Sequence, residues 1–524
     1  MNTLLNKFIF VILLSVLFFS CTGDFDEMNT NPNTVTEVDP SLLLPKMQYA
    51  VINANAYEYQ RGENLFANLY CQWISNSISY FNSDRYEFNN AWVTDAYWIP
   101  FYTYILKDKL DIKQMSEKYP EYQEMYQIAR IVTAIGAART TDLFGDIPYS
   151  EASRGLDKPK YDSQKDIYYD ILKELKEATD ALKTGFTVEQ KKFGGQDLYF
   201  KGDVNKWIKL GNSLRLRYAL RISFVDSDKA KLEGESALTE TMMENISDNA
   251  YIVTAITDDG HPLFVISNWN EFRMSSTFEN AYKTLSTVND PRMMFYWGAT
   301  TQSVNTSTLE IKGIRNGLPS NELPSPDVSS SCWGLLWGPS WNSNREKPST
   351  FSIEAPLYVM CYSELCFLKS EAAIRGWSNA GSAQNNYENG IRASFAEARL
   401  DVANTLYSTA NDNTYITTGS VLWNDGADFE TKLKQIATQK WISLFPNGTE
   451  GWAEVRRTGY PLLQPIARSD APSINAANGE FIKKLRYIDM ELETNSENAR
   501  STTLNGGKGD GVNVRVWWDT GRYK

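Results

Sequence analysis

Hydrophobic residues recur at helical spacing along much of this chain, most clearly between residues 433 and 461. One face of the first helix predicted there carries Leu433, Ile436, Ala437, Trp441 and Leu444. Such spacing is typical of a buried helix face. Pro446-Asn447-Gly448 is predicted to end this helix, because Asn and Gly tolerate the left-handed conformation of many helix ends. A second short helix with Trp452 and the pair Arg456-Arg457 should follow, and residues 458–461 should end it.

We interpret this helix hairpin as part of a scaffold and not as a reaction centre. Its tryptophans are expected to pack in the core. The arginine pair, Arg456-Arg457, is expected to bind neighbouring carboxylates or the carbonyl groups of helix ends.

Further helices are predicted from the same periodicity over residues 41–57, 121–144, 163–182, 204–223 and 355–377. Ser163, with Asp166 three residues later, is typical of a helix start. Helices in consecutive hairpins favour tetratricopeptide-like pairs, although no regular period of 34 residues is visible. The predicted fold class is therefore mainly α, with a scaffold of helix pairs, long irregular loops and few short strands.

The N-terminal residues indicate export and a lipid anchor. The apolar run from Phe8 to Phe19 is shorter than the roughly 20 residues that span a bilayer, but it suits a signal peptide. Ser20-Cys21 directly after it resembles a bacterial lipoprotein cleavage site, at which Cys21 would be lipidated. The alternative is an ordinary signal peptide with an incidental cysteine. We expect a signal peptide over residues 1–20, an acidic and polar tether over 21–39, and one helical domain over 40–524.

Composition narrows the possible functions. A net charge of −12 and a pI near 5.0 argue against a nucleic-acid partner, which requires a basic surface. The 15 Trp and 29 Tyr residues exceed what core packing readily explains, so some rings are expected to form binding surfaces.

No metal site or cofactor is expected. The chain has one histidine, His261, which we interpret as a loop residue, and it has no C-x-x-C motif. Cys361 and Cys366 lie about 7.5 Å apart along one predicted helix, which is beyond disulfide reach. Whether Cys71 pairs with Cys332 stays open, with buried free thiols the favoured reading.

Three predicted loops interleave aromatic, amide and charged side chains, and long loops without regular structure commonly carry function. The candidate ligand-binding residues are Tyr80, Asn82, Asp84, Arg85 and Tyr86 in the first loop, Trp269, Asn270 and Arg273 in the second, and Trp333, Trp337, Trp341 and Asn342 in the third. Aromatic rings stack on the apolar faces of sugars, and amide and charged groups bind their hydroxyls. Peptides are bound by nearly the same residue types. The competing interpretation is that these rings only fasten the loops to the body.

The segment QKWISLFPNGTEGWAEVRRTGYP, residues 439–461, resembles the signature of the SusD/RagB family, the nutrient-binding outer-membrane lipoproteins of Bacteroidetes. DLFGDIPYSEA at 142–152 and VWWD at 516–519 are also similar to family segments. One departure is Ile488, where the family usually has proline after Arg486-Tyr487. The acidic residues that follow Cys21 resemble the signal that sends such lipoproteins to the cell surface.

This resemblance implies a protein that is not an enzyme. It would be held by its lipid in the outer membrane and face the extracellular side. There it would capture an oligosaccharide and deliver it to a SusC-like TonB-dependent transporter. An oligopeptide ligand is the alternative within the family. A glycoside hydrolase is the enzyme alternative, because that chemistry needs only two suitably spaced carboxylates. A purely structural role in the outer membrane is the third.

Overall fold

The computed structural model describes residues 38–254, 261–267, 269–300, 303, 310–330, 355–400, 402 and 404–523. Its helices before the first gap are α1 (Leu44–Ile52), α2 (Ala56–Tyr59), α3 (Asn68–Tyr70), α4 (Asn90–Val93), α5 (Lys107–Lys118), α6 (Gln123–Phe144), α7 (Gln164–Thr184), α8 (Val204–Arg221) and α9 (Ser227–Leu238). The later helices are α10 (Pro262–Ser267), α11 (Ser276–Thr284), α12 (Met293–Tyr296), α13 (Tyr362–Ile374), α14 (Ala383–Arg399), α15 (Asp412–Thr417), α16 (Phe429–Ser443), α17 (Gly448–Thr458), α18 (Asp489–Thr494) and α19 (Ser496–Ala499). π-Helical turns over Gln60–Ala67 join α2 to α3, and those over Thr94–Trp98 and Pro100–Leu106 join α4 to α5.

The strands of the described residues are short and pair two by two, all antiparallel. β1 (Ile74–Asn76) pairs with β5 (Phe272–Met274), β2 (Ile147–Pro148) with β3 (Tyr161–Asp162), and β4 (Ala250–Val253) with β6 (Pro356–Met360). In the first pair Ile74 lies opposite Met274 and Asn76 opposite Phe272. This ladder joins two chain segments that are far apart in sequence, and it positions the site described below.

Successive helices pack against each other, α6 with α7, α7 with α8, α8 with α9, and α13 with α14. In α7 the side-chain oxygen of Ser163 accepts a hydrogen bond from the backbone N–H of Asp166 at 3.2 Å and caps the helix. Its predicted apolar face, Ile167, Ile171, Leu175, Ala178 and Leu182, is buried. The mainly α prediction is confirmed. It succeeded because these helices depend on local periodicity and on capping residues.

Two predicted helices are interrupted. The helix expected over residues 41–57 ends at Ile52, since Asn53 takes a left-handed conformation with φ of 51° and α2 starts anew at Ala56. The helix expected from residue 355 begins instead as strand β6, and Cys361 leads into α13. The pattern of β-branched and aromatic residues in Pro356–Met360 fits a strand whose partner lies more than 100 residues away.

We call α16 and α17, with the turn between them, the signature hairpin. It has the predicted scaffold role. Its first helix, α16, buries all the expected residues, and Trp441 Nε1 donates to the carbonyl oxygen of Cys71 at 3.0 Å. The predicted left-handed end at Asn447-Gly448 is wrong, because Asn447 has φ of −80° and Gly448 already begins α17. Proline, which has no N–H to donate, stands at that break. At the other end of α17, Gly459 takes the left-handed conformation with φ of 77°.

A buried network of charged side chains ties this hairpin to the other helices. Arg457 donates to Glu371 of α13 at 2.7 Å and to Glu454 at 2.8 Å, and Lys440 donates to Glu454 at 3.1 Å. Burial alone would raise the pKa of Glu454, but Arg457 and Lys440 more than offset it, so its pKa lies below the usual range. Arg456 donates to the carbonyl oxygen of Asp142 at 2.7 Å. The prediction that Arg456 and Arg457 bind neighbouring carboxylates or the carbonyl groups of helix ends is therefore confirmed.

The described cysteines are the buried free thiols Cys71, Cys361 and Cys366. Cys361, directly before α13, and Cys366 within it are not bonded to each other, as predicted. Cys332 and Cys21 lie outside the described residues. His261 lies in a loop directly before α10, as predicted, but it is fully buried, and its Nδ1 accepts a hydrogen bond from the backbone N–H of Leu263 at 3.1 Å. Burial lowers the pKa of His261 to about 3.

Candidate functional site

Three chain segments meet at the end of the β1–β5 ladder. The backbone N–H of Ser77 donates to the carbonyl oxygen of Glu271 at 3.0 Å, and the Ser77 hydroxyl donates to that of Asn270 at 3.1 Å. These bonds extend the ladder one step beyond β1 and hold residues 77–81 beside residues 269–271. The third segment, α2 and its π-helical continuation, reaches the same place through Gln60, whose amide donates to the Glu271 carboxylate.

Aromatic side chains line the surface where these segments meet, and we call the five rings Tyr57, Trp269, Tyr80, Phe81 and Trp92 the aromatic ledge. Tyr57 is 61% exposed and Tyr80 is 65% exposed, whereas the other rings are half-buried. Tyr57 lies against Trp269 with ring centroids 5.2 Å apart, and Tyr80 lies against Phe81 at 4.8 Å. Phe81 contacts Trp92 edge to face at 5.5 Å. In the first two contacts a half-buried ring therefore supports an exposed one.

Glu271 lies beneath these rings and links all three segments. Its carboxylate accepts a hydrogen bond from the Tyr80 hydroxyl at 3.3 Å and another from the Gln60 amide. The residue is 9% exposed, and burial raises the pKa of its carboxyl group. Tyr57 and Gln60 are three residues apart on one helical face, and they contact Trp269 and Glu271, two residues apart in the chain just after α10. The carboxylate therefore holds the exposed ring of Tyr80 directly, and through Gln60 it joins the helical segment that carries Tyr57 to the same place.

Of the candidates in the second loop, two lie at the surface and one is buried beneath it. Trp269 belongs to the ledge, and Asn270 is exposed and has φ of 64°. Arg273 is 4% exposed and lies on β5, where the sequence suggested a loop. Its guanidinium donates to the carbonyl oxygen of Pro326 at 3.3 Å and to the side-chain oxygen of Asn270. Arg273 thus supports Asn270 from below.

The first loop is more buried than its composition suggested. Asp84 is 3% exposed, and its carboxylate accepts hydrogen bonds from the Gly317 backbone N–H at 3.1 Å and from the Asn76 amide at 3.2 Å. Burial raises the pKa of Asp84 to about 6. Arg85 donates to Asp470 at 2.7 Å and to the Asn82 side chain at 2.5 Å. The structure therefore gives Asp84 and Arg85 a framework role beneath the surface, not a place on it.

Tyr86 is also in the framework. It is 3% exposed, and its ring packs edge to face on Tyr70 with centroids 5.5 Å apart. Asn82 is half-buried and lies at the margin of the ledge. Of the first loop, Tyr80 alone among the candidates presents most of its side chain to solvent.

The candidates of the third loop, Trp333, Trp337, Trp341 and Asn342, lie outside the described residues, as does Cys21, and they stay predictions. Sequence reasoning missed Tyr57, Gln60 and Glu271. Tyr57 and Gln60 fall within or beside a predicted amphipathic helix, where an aromatic residue usually indicates core. No local signal could have revealed that Gln60 contacts a residue 211 positions away.

The described ranges hold no cluster of three or more His, Cys, Asp or Glu side chains suited to a metal ion. None of the helices in the part of the chain that the structure describes combines the length and apolar character of a membrane-crossing helix.

A family model described as "SusD-like: Susd and RagB outer membrane lipoprotein" matches residues 27–519. The chain belongs to the SusD-like family. This confirms the resemblance seen in residues 439–461, and it makes the protein a member of a family of outer-membrane lipoproteins. Among curated proteins, none matches the chain significantly.

Solved structures of SusD homologues have the same fold. A chitin-binding SusD homologue from Flavobacterium johnsoniae is 26% identical, with a TM-score of 0.74 over 92% of this chain and 98% of that one. A structure described only as a chitin-binding protein is 28% identical, with a TM-score of 0.74 over 92% of this chain and 100% of that one. A SusD homologue from Parabacteroides distasonis is 25% identical, with a TM-score of 0.77 over 92% and 98% of the two chains.

Proposed function

We propose that this SusD-like protein binds an oligosaccharide at the aromatic ledge and delivers it to a SusC-like TonB-dependent transporter in the outer membrane. The observation that carries the proposal is the pair of strongly exposed rings, Tyr57 and Tyr80, each packed on a half-buried ring at the same place. The chitin-binding homologues of the same fold support a saccharide as the ligand class.

The ledge suits reversible capture. Exposed rings offer apolar faces on which pyranose rings stack, and Asn270 and Asn82 at the margin supply amide donors and acceptors for hydroxyl groups. Because Tyr57 and Tyr80 are already fixed by Trp269, Phe81 and the Glu271 carboxylate, little side-chain entropy is lost when a ligand binds. The ligand contacts proposed here are therefore Tyr57, Tyr80, Trp269, Asn270 and Asn82.

The anchor and the partner complete the proposal. Lipidated Cys21 would hold the protein at the outer membrane facing the outside, and a tether over residues 22–39 would reach at most about 60 Å. Attachment beside a transporter raises the effective concentration of captured ligand at the pore, so weak binding at each ring suffices.

The test compares ledge variants with a matched aromatic control. The double variant Tyr57→Ala/Tyr80→Ala should weaken binding of β-1,4-linked N-acetylglucosamine oligomers at least roughly tenfold in calorimetry, since each lost ring contact contributes about 1 kcal/mol. Its melting temperature should change little, because both rings are mostly exposed. Tyr251→Ala, at a 37% exposed tyrosine on β4, should leave binding unchanged.

The same samples separate the other functions. Chromatography of the incubated oligosaccharides should show no shortened product, whereas product formation would favour the hydrolase. Binding of peptides in place of sugars, lost in the same double variant, would favour the oligopeptide alternative. Unchanged affinity for every ligand in the double variant would remove the ledge as the site.

A further inference from the structure

We propose that Glu271 is a specificity-determining residue that makes the aromatic ledge prefer oligosaccharides with free, protonated amino groups. The inference rests on the proposed function, because it names the class of saccharide that the same site takes. It follows from the placement of one buried carboxylate and from the neutral character of its partners.

Glu271 has no cationic partner among the described residues, unlike the carboxylates of the scaffold that form buried ion pairs. Glu364 pairs with Arg217 at 2.5 Å and Asp290 pairs with Arg292 at 2.5 Å, each in a fully buried ion pair. Glu271 accepts only from the neutral Gln60 amide and Tyr80 hydroxyl, and no lysine or arginine nitrogen of the described ranges lies within 4.0 Å of it. A carboxylate has about four acceptor positions, so the two hydrogen bonds leave part of its hydrogen-bonding capacity unused.

The unused hydrogen-bond acceptor positions of Glu271 lie next to the aromatic ledge. One of its oxygens is bonded to the hydroxyl of Tyr80, whose ring is 65% exposed, and the other to Gln60, one turn from exposed Tyr57. An ammonium group placed between these rings would face aromatic π-electrons and a carboxylate together, and both attract a cation. A neutral hydroxyl or acetamide group would gain the hydrogen bond without the charge.

Two other grooves of the described residues contain ion pairs of the protein itself. A groove of about 420 Å³ beside α1 contains Arg61 paired with Asp95 at 3.2 Å and Lys46 lying over the Tyr104 ring. A second groove of about 380 Å³ along α7 contains Lys109 at 3.6 Å from Glu174.

The experiment uses three tetrasaccharides with one β-1,4-linked backbone that differ only at C2: a hydroxyl, an acetamide or a protonated amine. Calorimetry with the mature protein should show the amine-bearing tetramer binding at least about tenfold more tightly than the other two, because a charge-assisted contact is added. Raising the salt concentration should weaken the amine tetramer most.

Glu271→Gln is the decisive variant, because it removes the charge and keeps an amide oxygen for the Tyr80 hydroxyl. The ratio of the affinities for the amine and acetamide tetramers should fall to about one, because this ratio depends on the charge of residue 271. Glu87→Gln, which removes the charge of an exposed glutamate in the neighbouring segment, should keep the preference.

The outcomes distinguish the two proposals. Equal binding of the three tetramers, or an amine preference that survives in Glu271→Gln, would overturn this inference and leave saccharide capture at the ledge intact. If no tetramer binds to the wild-type protein, the inference is overturned as well, and the proposed function is then judged by the peptides and by glycans with other linkages.

Discussion

Glu397 on α14 is a buried carboxyl group without a cationic partner in the described chain. It is 4% exposed, and its Oε1 accepts hydrogen bonds from the Asn249 amide at 3.1 Å and from the Ser363 backbone N–H at 3.1 Å. Burial raises the pKa of Glu397 from 4.5 to about 7. Between these values the folded protein holds a proton that the unfolded chain releases.

The free energy of unfolding should therefore fall by up to about 3 kcal/mol as the pH rises through the interval between 4.5 and 7, because ionisation of Glu397 is unfavourable only in the folded state. Glu397→Gln stays neutral and keeps its acceptor oxygen, so it should be more stable than the wild type above this interval and similar to it below. Denaturant unfolding at both ends of the interval measures the difference. Glu388→Gln on the same helix is the control, and a pH-independent difference between wild type and Glu397→Gln would contradict the assignment.

At the scale of helices, α17 packs closely on the chain around α3 because it carries glycine at the contact. A Cβ atom on Gly451 would lie 2.3 Å from Trp73 Cη2, and Trp73 is fully buried. Gly136 in α6 offers a contrast, since its Cβ would meet the flexible end of the Ile105 side chain at 2.9 Å. A rigid indole cannot move aside in the way that an isoleucine methyl group can.

Gly451→Ala should thus lower the free energy of unfolding by about 1–3 kcal/mol, although alanine favours helix formation. Gly136→Ala should be close to neutral, because a gain of about 1 kcal/mol in helix propensity offsets a small rearrangement of Ile105. Thermal and denaturant unfolding of both variants measure the contrast. Equal effects would show that the contact with Trp73 does not limit the approach of α17.

At the scale of the whole molecule, the buried charges join distant helices into one scaffold. Arg217 of α8 pairs with Glu364 of α13, and Arg221 pairs with Glu450 of α17 at 2.5 Å. Arg457 of α17 returns to Glu371 of α13 at 2.5 Å. Each of these arginines pairs with a carboxylate on another helix. The network therefore favours one arrangement of the helices over alternative packings. Such a scaffold presents the ledge on a rigid support.

The proposed anchor makes a prediction for the protein in its cell. Cys21→Ser should abolish incorporation of labelled fatty acid and release the protein from the membrane fraction, because the thiol is the acceptor of the lipid. Cys366→Ala, which removes a buried thiol of the scaffold, should still be labelled. Protease added to intact cells should digest the wild-type protein if it faces outward. Labelling of Cys21→Ser, or full protection from protease, would contradict the proposed location.

The sequence by itself determined the helices, the signature hairpin and the family. Those features depend on short-range patterns: apolar residues at helical spacing in α7 and α16, the Ser163 cap, and the left-handed glycine after α17. Local patterns failed where a distant partner decided the conformation, as in β5 and β6, whose strands exist only because β1 and β4 lie beside them.

Only the tertiary structure decided which polar and aromatic residues reach solvent. Tyr80 and Asp84 belong to the same loop, yet one is exposed and the other is enclosed by Gly317 and Asn76, which come from other parts of the chain. Glu271 and Gln60 are 211 positions apart and meet through the β1–β5 ladder. Burial is a property of the packed chain, because it depends on every segment that covers a side chain. Helical periodicity, in contrast, depends only on residues within a few turns of one another.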